Sequence, residues 1–145
     1  MNIGIIGQGF VGSAIREGLK GYYNVMGFDL VADLCYNMED VGHIDDRLPT
    51  LVNESDIIFV CVPTPMRRDG SCDTRILEKA LDDAYKIVKK NDPDPVHSDF
   101  LKTQKQKKVF IIKSTVPPGT TERLSAKYPR IMLCFSPEFL TEANS

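Results

Sequence analysis

Gly7-Gln8-Gly9-Phe10-Val11-Gly12 sets three glycines at a spacing that can cradle a phosphate. The first glycine permits a tight turn, the second lets a pyrophosphate approach the main chain, and the third allows close helix–strand packing. A helix opening at this point would aim unpaired N–H groups and the positive end of its dipole at the same anion. Glycine-rich turns are common, so the pattern counts only where a strand precedes it and a helix follows. Asp29 lies seventeen positions after Gly12, at the end of a short apolar run. An acid there can accept hydrogen bonds from the adenosine ribose hydroxyls of a dinucleotide. Alone, Asp29 is a turn residue; in this order behind the glycines it reads as a ribose hook. No lysine or arginine occurs between Lys20 and Arg47. No cation near in sequence can therefore balance a 2′-phosphate, and NAD is expected in preference to NADP.

Three further stretches could bring chemistry to the same place. Val62-Pro63-Thr64-Pro65 is followed by Asp69-Gly70-Ser71-Cys72-Asp73, and Lys113-Ser114-Thr115-Val116-Pro117 runs on to Pro118-Gly119-Thr120. Both follow apolar runs and offer hydroxyls, although proline and glycine punctuate ordinary loops as well. The third, Ser136-Pro137-Glu138-Phe139-Leu140-Thr141-Glu142, spaces two carboxylates at i and i+4, on one helix face. Ser136 suits an N-cap, Pro137 the first helical position, and Glu138 the positive dipole end. Only eight residues follow Pro137, too few for a helix that stands without packing. The chain is expected to stop where an element begins.

The elements that must position these residues follow from periodicity. Residues 2–6 form an apolar run, and Val11, Ala14, Ile15 and Leu19 then share one helical face. Residues 24–28 read as a second strand, whereas residues 30–52 support only a short strand and a short helix. Residues 56–62 make the clearest strand, β-branched and closed by Pro63. Ile76, Leu77, Ala80, Leu81, Ala84, Ile87 and Val88 stripe one face of a helix over 73–90. Residues 91–107 are polar and carry two prolines, as a long surface connection would. A strand at 109–112, a short helix at 121–127 and a strand at 131–135 complete the alternation. Strands apolar throughout and alternating with helices belong to a parallel sheet covered on both faces. The expectation is a single α/β domain with a Rossmann-type doubly wound parallel sheet. Its strand order should be 3-2-1-4-5-6, with the third strand short or poorly formed.

Composition narrows the function classes. At 145 residues, 42% hydrophobic and 26% charged, the chain has the profile of one globular domain. A net charge of −2 gives no general attraction to nucleic acid or anionic membrane. No apolar run approaches the roughly 20 residues needed to span a bilayer, and Met1-Asn2-Ile3-Gly4 lacks the basic start of a signal peptide. The lysines at 102, 105, 107 and 108 read as a solvated loop offset by Asp92, Asp94 and Asp99, so nucleic acid is not expected as a partner. Cys35, Cys61, Cys72 and Cys134 have no pairing or metal-ligand spacing with His43 or His97. Cys61 and Cys134 read as buried thiols in a reducing cytoplasm, and no metal is expected.

Taken together, the motifs resemble the N-terminal NAD-binding domain of the UDP-glucose/GDP-mannose dehydrogenase family, most nearly its UDP-glucose 6-dehydrogenases. The matching pieces are Gly7 to Gly12, Phe28-Asp29, the 62–65 loop with Asp69-Gly70 and Asp73, the 113–120 loop, and Ser136 to Glu142. They span nearly the whole chain. The resemblance implies NAD as cofactor and oxidation of a UDP-sugar C6 alcohol to a carboxylate in two steps, through a cysteine thiohemiacetal and thioester. It implies cofactor contacts from Gly7, Gly9, Phe10, Val11, Gly12, Asp29, Val62, Pro63, Thr64, Pro65, Ser114, Thr115, Val116 and Glu142. It places Lys113, Pro117, Glu138, Phe139, Leu140 and Glu142 beside the reacting carbon. Thr115 would hold the hydrolytic water and Glu138 would act as general base, a pairing that can orient and deprotonate water. Two departures stand out. The basic residue that many members carry about five positions beyond the ribose acid is Leu34 here. The family's nucleophile motif, of G-F-G-G-x-C type, is also missing. The family's central helix and UDP-binding domain are therefore expected to be absent from residues 1–145. The partner would be a UDP-sugar, and the chain would be a fragment, one product of a split gene that needs a second chain carrying the C-terminal half, or a short relative; alone, it should be inactive. The alternative is a free-standing, non-catalytic dinucleotide-binding module.

Overall fold

The computed structural model describes residues 1–91 and 107–138. In chain order the elements are β1 Asn2–Ile6, α1 Phe10–Leu19, β2 Asn24–Phe28, a 3-10 turn Ala32–Leu34, α2 Ile44–Glu54, β3 Ile57–Val60, α3 Arg75–Asn91, β4 Val109–Ile112, α4 Thr120–Lys127 and β5 Met132–Phe135. The strands form one sheet in the order β2-β1-β3-β4-β5. Every pairing between them is parallel, with Ile3 beside both Val25 and Ile57. The architecture is the doubly wound Rossmann-type α/β domain expected from the alternation.

Alternate residues of each strand serve opposite faces. Ile6, Met26, Ile58, Val60, Phe110 and Ile112 pack against Leu51 and Val52 of α2, Leu77, Leu81 and Ala84 of α3, and Leu124 of α4. Ile3, Ile5 and Val25 turn the other way, onto Ile15 and Leu19 of α1. The right-handed crossover rule requires this split: the step from β1 to β2 runs one way along the sheet, and the later steps run the other.

Five expectations need correction. The place of a third strand beyond β2 is taken by one antiparallel bridge, in which Gly27 and Tyr36 exchange two hydrogen bonds of 2.9 Å. Asn37, at φ 54, then turns the chain out of pairing. Helix α2 is longer than its sequence suggested and carries Pro49 in its interior. Proline forfeits one helical hydrogen bond, and complete burial of Leu51 and Val52 offsets that loss. Ile76 lies off the packed face of α3 and is 44% exposed, while Cys61 and Cys134 are only partly buried. Lys108 is also no solvated loop charge: its ammonium donates to the carbonyls of Asn53 and Ser55 at 2.8 and 2.7 Å, closing the C-terminal end of α2. Lys102, Lys105, His97 and the acids at 92, 94 and 99 lie outside the described residues.

Candidate functional site

The carboxyl ends of β1, β2, β3 and β4 bring the predicted residues to one edge. Strand β1 has β2 on one side and β3 on the other, so the chain reverses its direction of winding there. Open α/β sheets bind ligands in the crevice at such a switch point.

The glycine loop fits its task by sterics. Gly7 sits at φ +92, and a methyl group there would lie 2.6 Å from the Cys61 carbonyl oxygen. A methyl group on Gly12 would lie 1.9 Å from the Gly7 carbonyl oxygen. Around Gly9 no atom lies within 4 Å of where a methyl would go, leaving an open approach to the backbone. Gly9 is also the N-cap of α1, with no side-chain cap and no acid in the first turn. The helix end is thus free to receive an anion. These features fit a dinucleotide pyrophosphate.

Asp29 is locked to this loop. Its Oδ2 accepts the Gln8 N–H at 2.8 Å and its Oδ1 accepts the Val31 N–H at 3.0 Å. The Cys35 thiol lies 3.5 Å from the Asp29 carbonyl. Gln8, which the motif leaves as an arbitrary residue, proves to be structural. Its side chain is buried beneath the loop, its Oε1 accepts from Arg16 Nη1 at 3.1 Å, and Arg16 stacks on the Tyr36 ring at 4.9 Å. The available sequence signal was Gly27, inside an apolar strand: a methyl there would meet the Gln8 amide at 2.6 Å.

The loops after β3 and β4 are strapped together. Buried Ser114 donates from Oγ to the Val62 carbonyl at 2.6 Å, and Thr64 donates from Oγ1 to the Thr115 carbonyl at 2.7 Å. The Cys72 thiol reaches the same Thr115 carbonyl at 3.7 Å. Pro65 accepts the Asp73 N–H at 2.8 Å. Arg75 brackets the Asp73 carboxylate from Nε at 2.9 and 3.0 Å, and Arg67 joins it at 3.3 Å. Hydrogen bonds from Arg75 and then Arg67 hold the Asp73 carboxyl well below the usual carboxylate range. Burial pushes the Cys61 thiol up to about 12, which keeps it protonated and inert as a nucleophile at neutral pH.

Beyond β5 the chain returns towards β4. The Glu138 N–H donates to the Lys113 carbonyl at 3.3 Å, while the Lys113 ammonium stands 3.4 Å from Glu138 Oε2 and 3.3 Å from Ser136 Oγ. Lys113 and Glu138 therefore meet, and Thr115 follows two residues after Lys113 on the exposed side of the loop. Pro117 accepts the Thr120 N–H at the start of α4. Phe10 and Val11 stand on the first turn of α1, the one exposed and the other half-buried. Phe139, Leu140 and Glu142 lie outside the described residues. Among the described residues no three His, Cys, Asp or Glu side chains gather as a metal set, and no helix is long and apolar enough to cross a membrane.

Comparison with known proteins agrees with this geometry. Residues 29–145 match the UDP-glucose/GDP-mannose dehydrogenase family, NAD binding domain. An uncharacterized protein of Methanocaldococcus jannaschii, MJ1054, is 32% identical over 98% of this chain and 17% of its own length. The putative UDP-glucose 6-dehydrogenase YtcA of Bacillus subtilis is 31% identical over 65% of this chain and 20% of its own. The solved structure of a UDP-glucose dehydrogenase from Pyrobaculum islandicum superposes with a TM-score of 0.64 at 25% identity, over 99% of this chain and 37% of that one. The chain thus spans a minor part of these relatives. It belongs to the UDP-glucose/GDP-mannose dehydrogenase family, through that family's NAD binding domain.

Proposed function

We propose that this chain is the NAD-binding half of a UDP-sugar dehydrogenase, of the UDP-glucose 6-dehydrogenase kind, and that it takes NAD rather than NADP. The observation that carries this reading is the convergence at one sheet edge of the open Gly9 backbone, the Asp29 carboxylate and the Lys113–Glu138 pair. Gly7, Gly9, Phe10, Val11 and Gly12 would hold the pyrophosphate, and Asp29 the adenosine ribose. The nicotinamide end would lie along Val62, Pro63, Thr64 and Pro65 and along Ser114, Thr115 and Val116, with Glu142 joining from beyond β5. When bound, NAD supplies the hydride acceptor.

The chain's own residues would do the rest. The Ser114–Val62 and Thr64–Thr115 hydrogen bonds keep the two loops at a fixed separation. Lys113 fixes where the Glu138 carboxylate stands, and Thr115 offers a hydroxyl on the same loop. A carboxylate and a hydroxyl near one point can orient a water and remove its proton. Lys113, Pro117, Phe139, Leu140 and Glu142 would line the sugar side. A nucleophilic cysteine is not among these groups: none of the four cysteines stands in a G-F-G-G-x-C motif, and the Cys61 thiol is held protonated. We therefore read residues 1–145 as one NAD-binding domain without the family's central helix and UDP-binding domain. The partner that completes it would be polypeptide carrying the C-terminal half.

The test follows NADH absorbance at 340 nm with purified chain, NAD and UDP-glucose. No turnover is expected from this chain alone, and turnover is expected once a polypeptide bearing the G-F-G-G-x-C motif is added. Binding of NAD with no turnover under any such complementation would favour the free-standing, non-catalytic module instead. Sustained oxidation of UDP-glucose by this chain alone would reject the half-site reading.

A further inference from the structure

The turn that follows the ribose hook is held by a residue far from it in sequence. Arg47, on α2, donates from Nη1 to the Ala32 carbonyl at 3.1 Å. Ala32 opens the 3-10 turn three residues beyond Asp29. The Arg47 Nε is enclosed and has no hydrogen-bond partner among the described residues. A guanidinium carries its charge at every accessible pH and offers five donors in a planar fork. One of the five is committed to Ala32. Around the turn, Leu30, Val31 and Leu34 are 86%, 55% and 45% exposed and bring no charge, and the charged residue within the turn, Asp33, is an acid. The exposed side chains of the turn thus bring no cation, while α2 delivers one to it.

We propose that Arg47 sets how far the adenosine end of this site tolerates a 2′-phosphate, acting against Asp29. The proposal rests on the dinucleotide reading given above. Asp29 is fixed at the ribose by the Gln8 and Val31 N–H groups, so a 2′-phosphate must face its negative charge. Arg47 is the compensating charge, and its fork suits phosphate oxygens in a way a lone ammonium does not. Discrimination between NAD and NADP is then a balance between two side chains from different elements, and NADP is weakened but not shut out. A neighbouring charge acts through space whether or not it is adjacent in sequence, and its effect falls with distance and screening.

The experiment is calorimetric titration of the full chain, as wild type, R47M and R47K, with NAD and with NADP. The ratio of the NADP to the NAD dissociation constant should rise about tenfold in R47M, the loss of one charged hydrogen bond. R47K, which keeps the charge but not the fork, should fall between the two. NAD affinity should fall less than about threefold in either variant, because NAD brings no 2′-phosphate to the fork. Thermal melting followed by circular dichroism establishes that each variant folds. Should R47M not fold, R47Q makes the same comparison, keeping a hydrogen-bond donor while losing the charge. An unchanged ratio overturns the proposal, including the case in which both affinities fall together and Arg47 is only a clasp on Ala32. A wild-type chain that binds neither nucleotide would instead overturn the dinucleotide reading beneath it.

Discussion

The two ends of the candidate site are built by different means. At the end proposed for adenosine the fold closes on itself: backbone N–H groups satisfy both Asp29 oxygens, and Gly7 and Gly12 leave no room for a side chain. Buried Gln8 then ties the loop to α1 through Arg16. At the reaction end, side chains bridge one loop to another, and the last described contact is an ion pair between Lys113 and Glu138. The first end is organised before any ligand arrives, so little ordering has to be paid for on binding. The second presents the Lys113–Glu138 pair on loops that Ser114 and Thr64 hold together. This difference is what a cofactor half of a larger active site would show, and it can be attacked from either side.

The largest effects should come from the glycines. Gly12→Ala puts a methyl group 1.9 Å from the Gly7 carbonyl oxygen, so helix α1 must move off β1. Overpacking of that kind costs about 3 kcal/mol, readable as a lower urea midpoint at unchanged slope. Gly9→Ala is the contrasting control, because its methyl meets nothing within 4 Å. Its stability should fall by no more than about 1 kcal/mol, the loss of a favourable N-cap residue, while NAD affinity falls because the methyl stands in the phosphate approach. Equal loss of stability in both variants would show that the loop is not tuned as described.

Next in size is Asp29→Ala. A charged hydrogen bond contributes about 1.5–3 kcal/mol, so NAD should bind roughly 10- to 100-fold more weakly. The variant also frees the Gln8 and Val31 N–H groups, so part of the loss reflects a looser loop. Hydrogen exchange at these two amides separates the parts: rapid exchange with full NAD affinity would remove the hook assignment.

At the reaction end, acid should loosen the 65–75 segment before it touches the glycine loop. Asp73, bracketed by Arg75 and Arg67, has its folded-state pKa held below the ordinary value of 3.8. A group depressed in this way contributes stability above its unfolded pKa and loses it as pH falls through the folded value. The contribution is therefore intact at neutral pH and declines as pH is taken below about 3.8. In Asp73→Asn this part of the acid dependence should vanish, as followed by amide exchange in residues 66–73 between pH 5 and pH 2. Identical acid profiles in the parent and the variant would rule out the arginine bracket as its source.

How far the sequence foretold the molecule follows from the range of the interactions involved. The glycine spacing, Asp29 and the strand–helix alternation are local, so residue order alone carried them, and they form the sheet edge as expected. Helix α2 was obscured by Pro49, a local signal against helix that burial of Leu51 and Val52 overrides. Ile76 fitted the apolar stripe by spacing yet faces solvent, because periodicity does not say how wide the buried face is. Arg47 shows the same limit: it closes the cation-free stretch that surrounds Asp29 in sequence, and the fold brings it back to the Ala32 carbonyl. Lys108 behaves alike, reaching back to close α2. Contacts between elements distant in sequence are what composition and spacing leave out.

The smallest effect should come from Cys72, and it bears on which end lacks its chemistry. Its thiol is half-buried between the two loops and touches the Thr64 and Thr115 carbonyls at 4.0 and 3.7 Å. A thiol is a weak donor, and Thr64 Oγ1 already serves the Thr115 carbonyl at 2.7 Å. Losing the sulfur therefore leaves that carbonyl satisfied. Cys72→Ala should change NAD affinity by no more than about twofold and stability by less than about 1 kcal/mol. If a complementing polypeptide restores oxidation of UDP-glucose, the rate with Cys72→Ala should match the rate with the parent chain. The decisive comparison is that complemented rate, measured at saturating NAD so that a small affinity change cannot disguise itself as lost chemistry. A rate that collapses on this substitution would make the loop thiol the nucleophile, and the reaction end would then be complete within this chain.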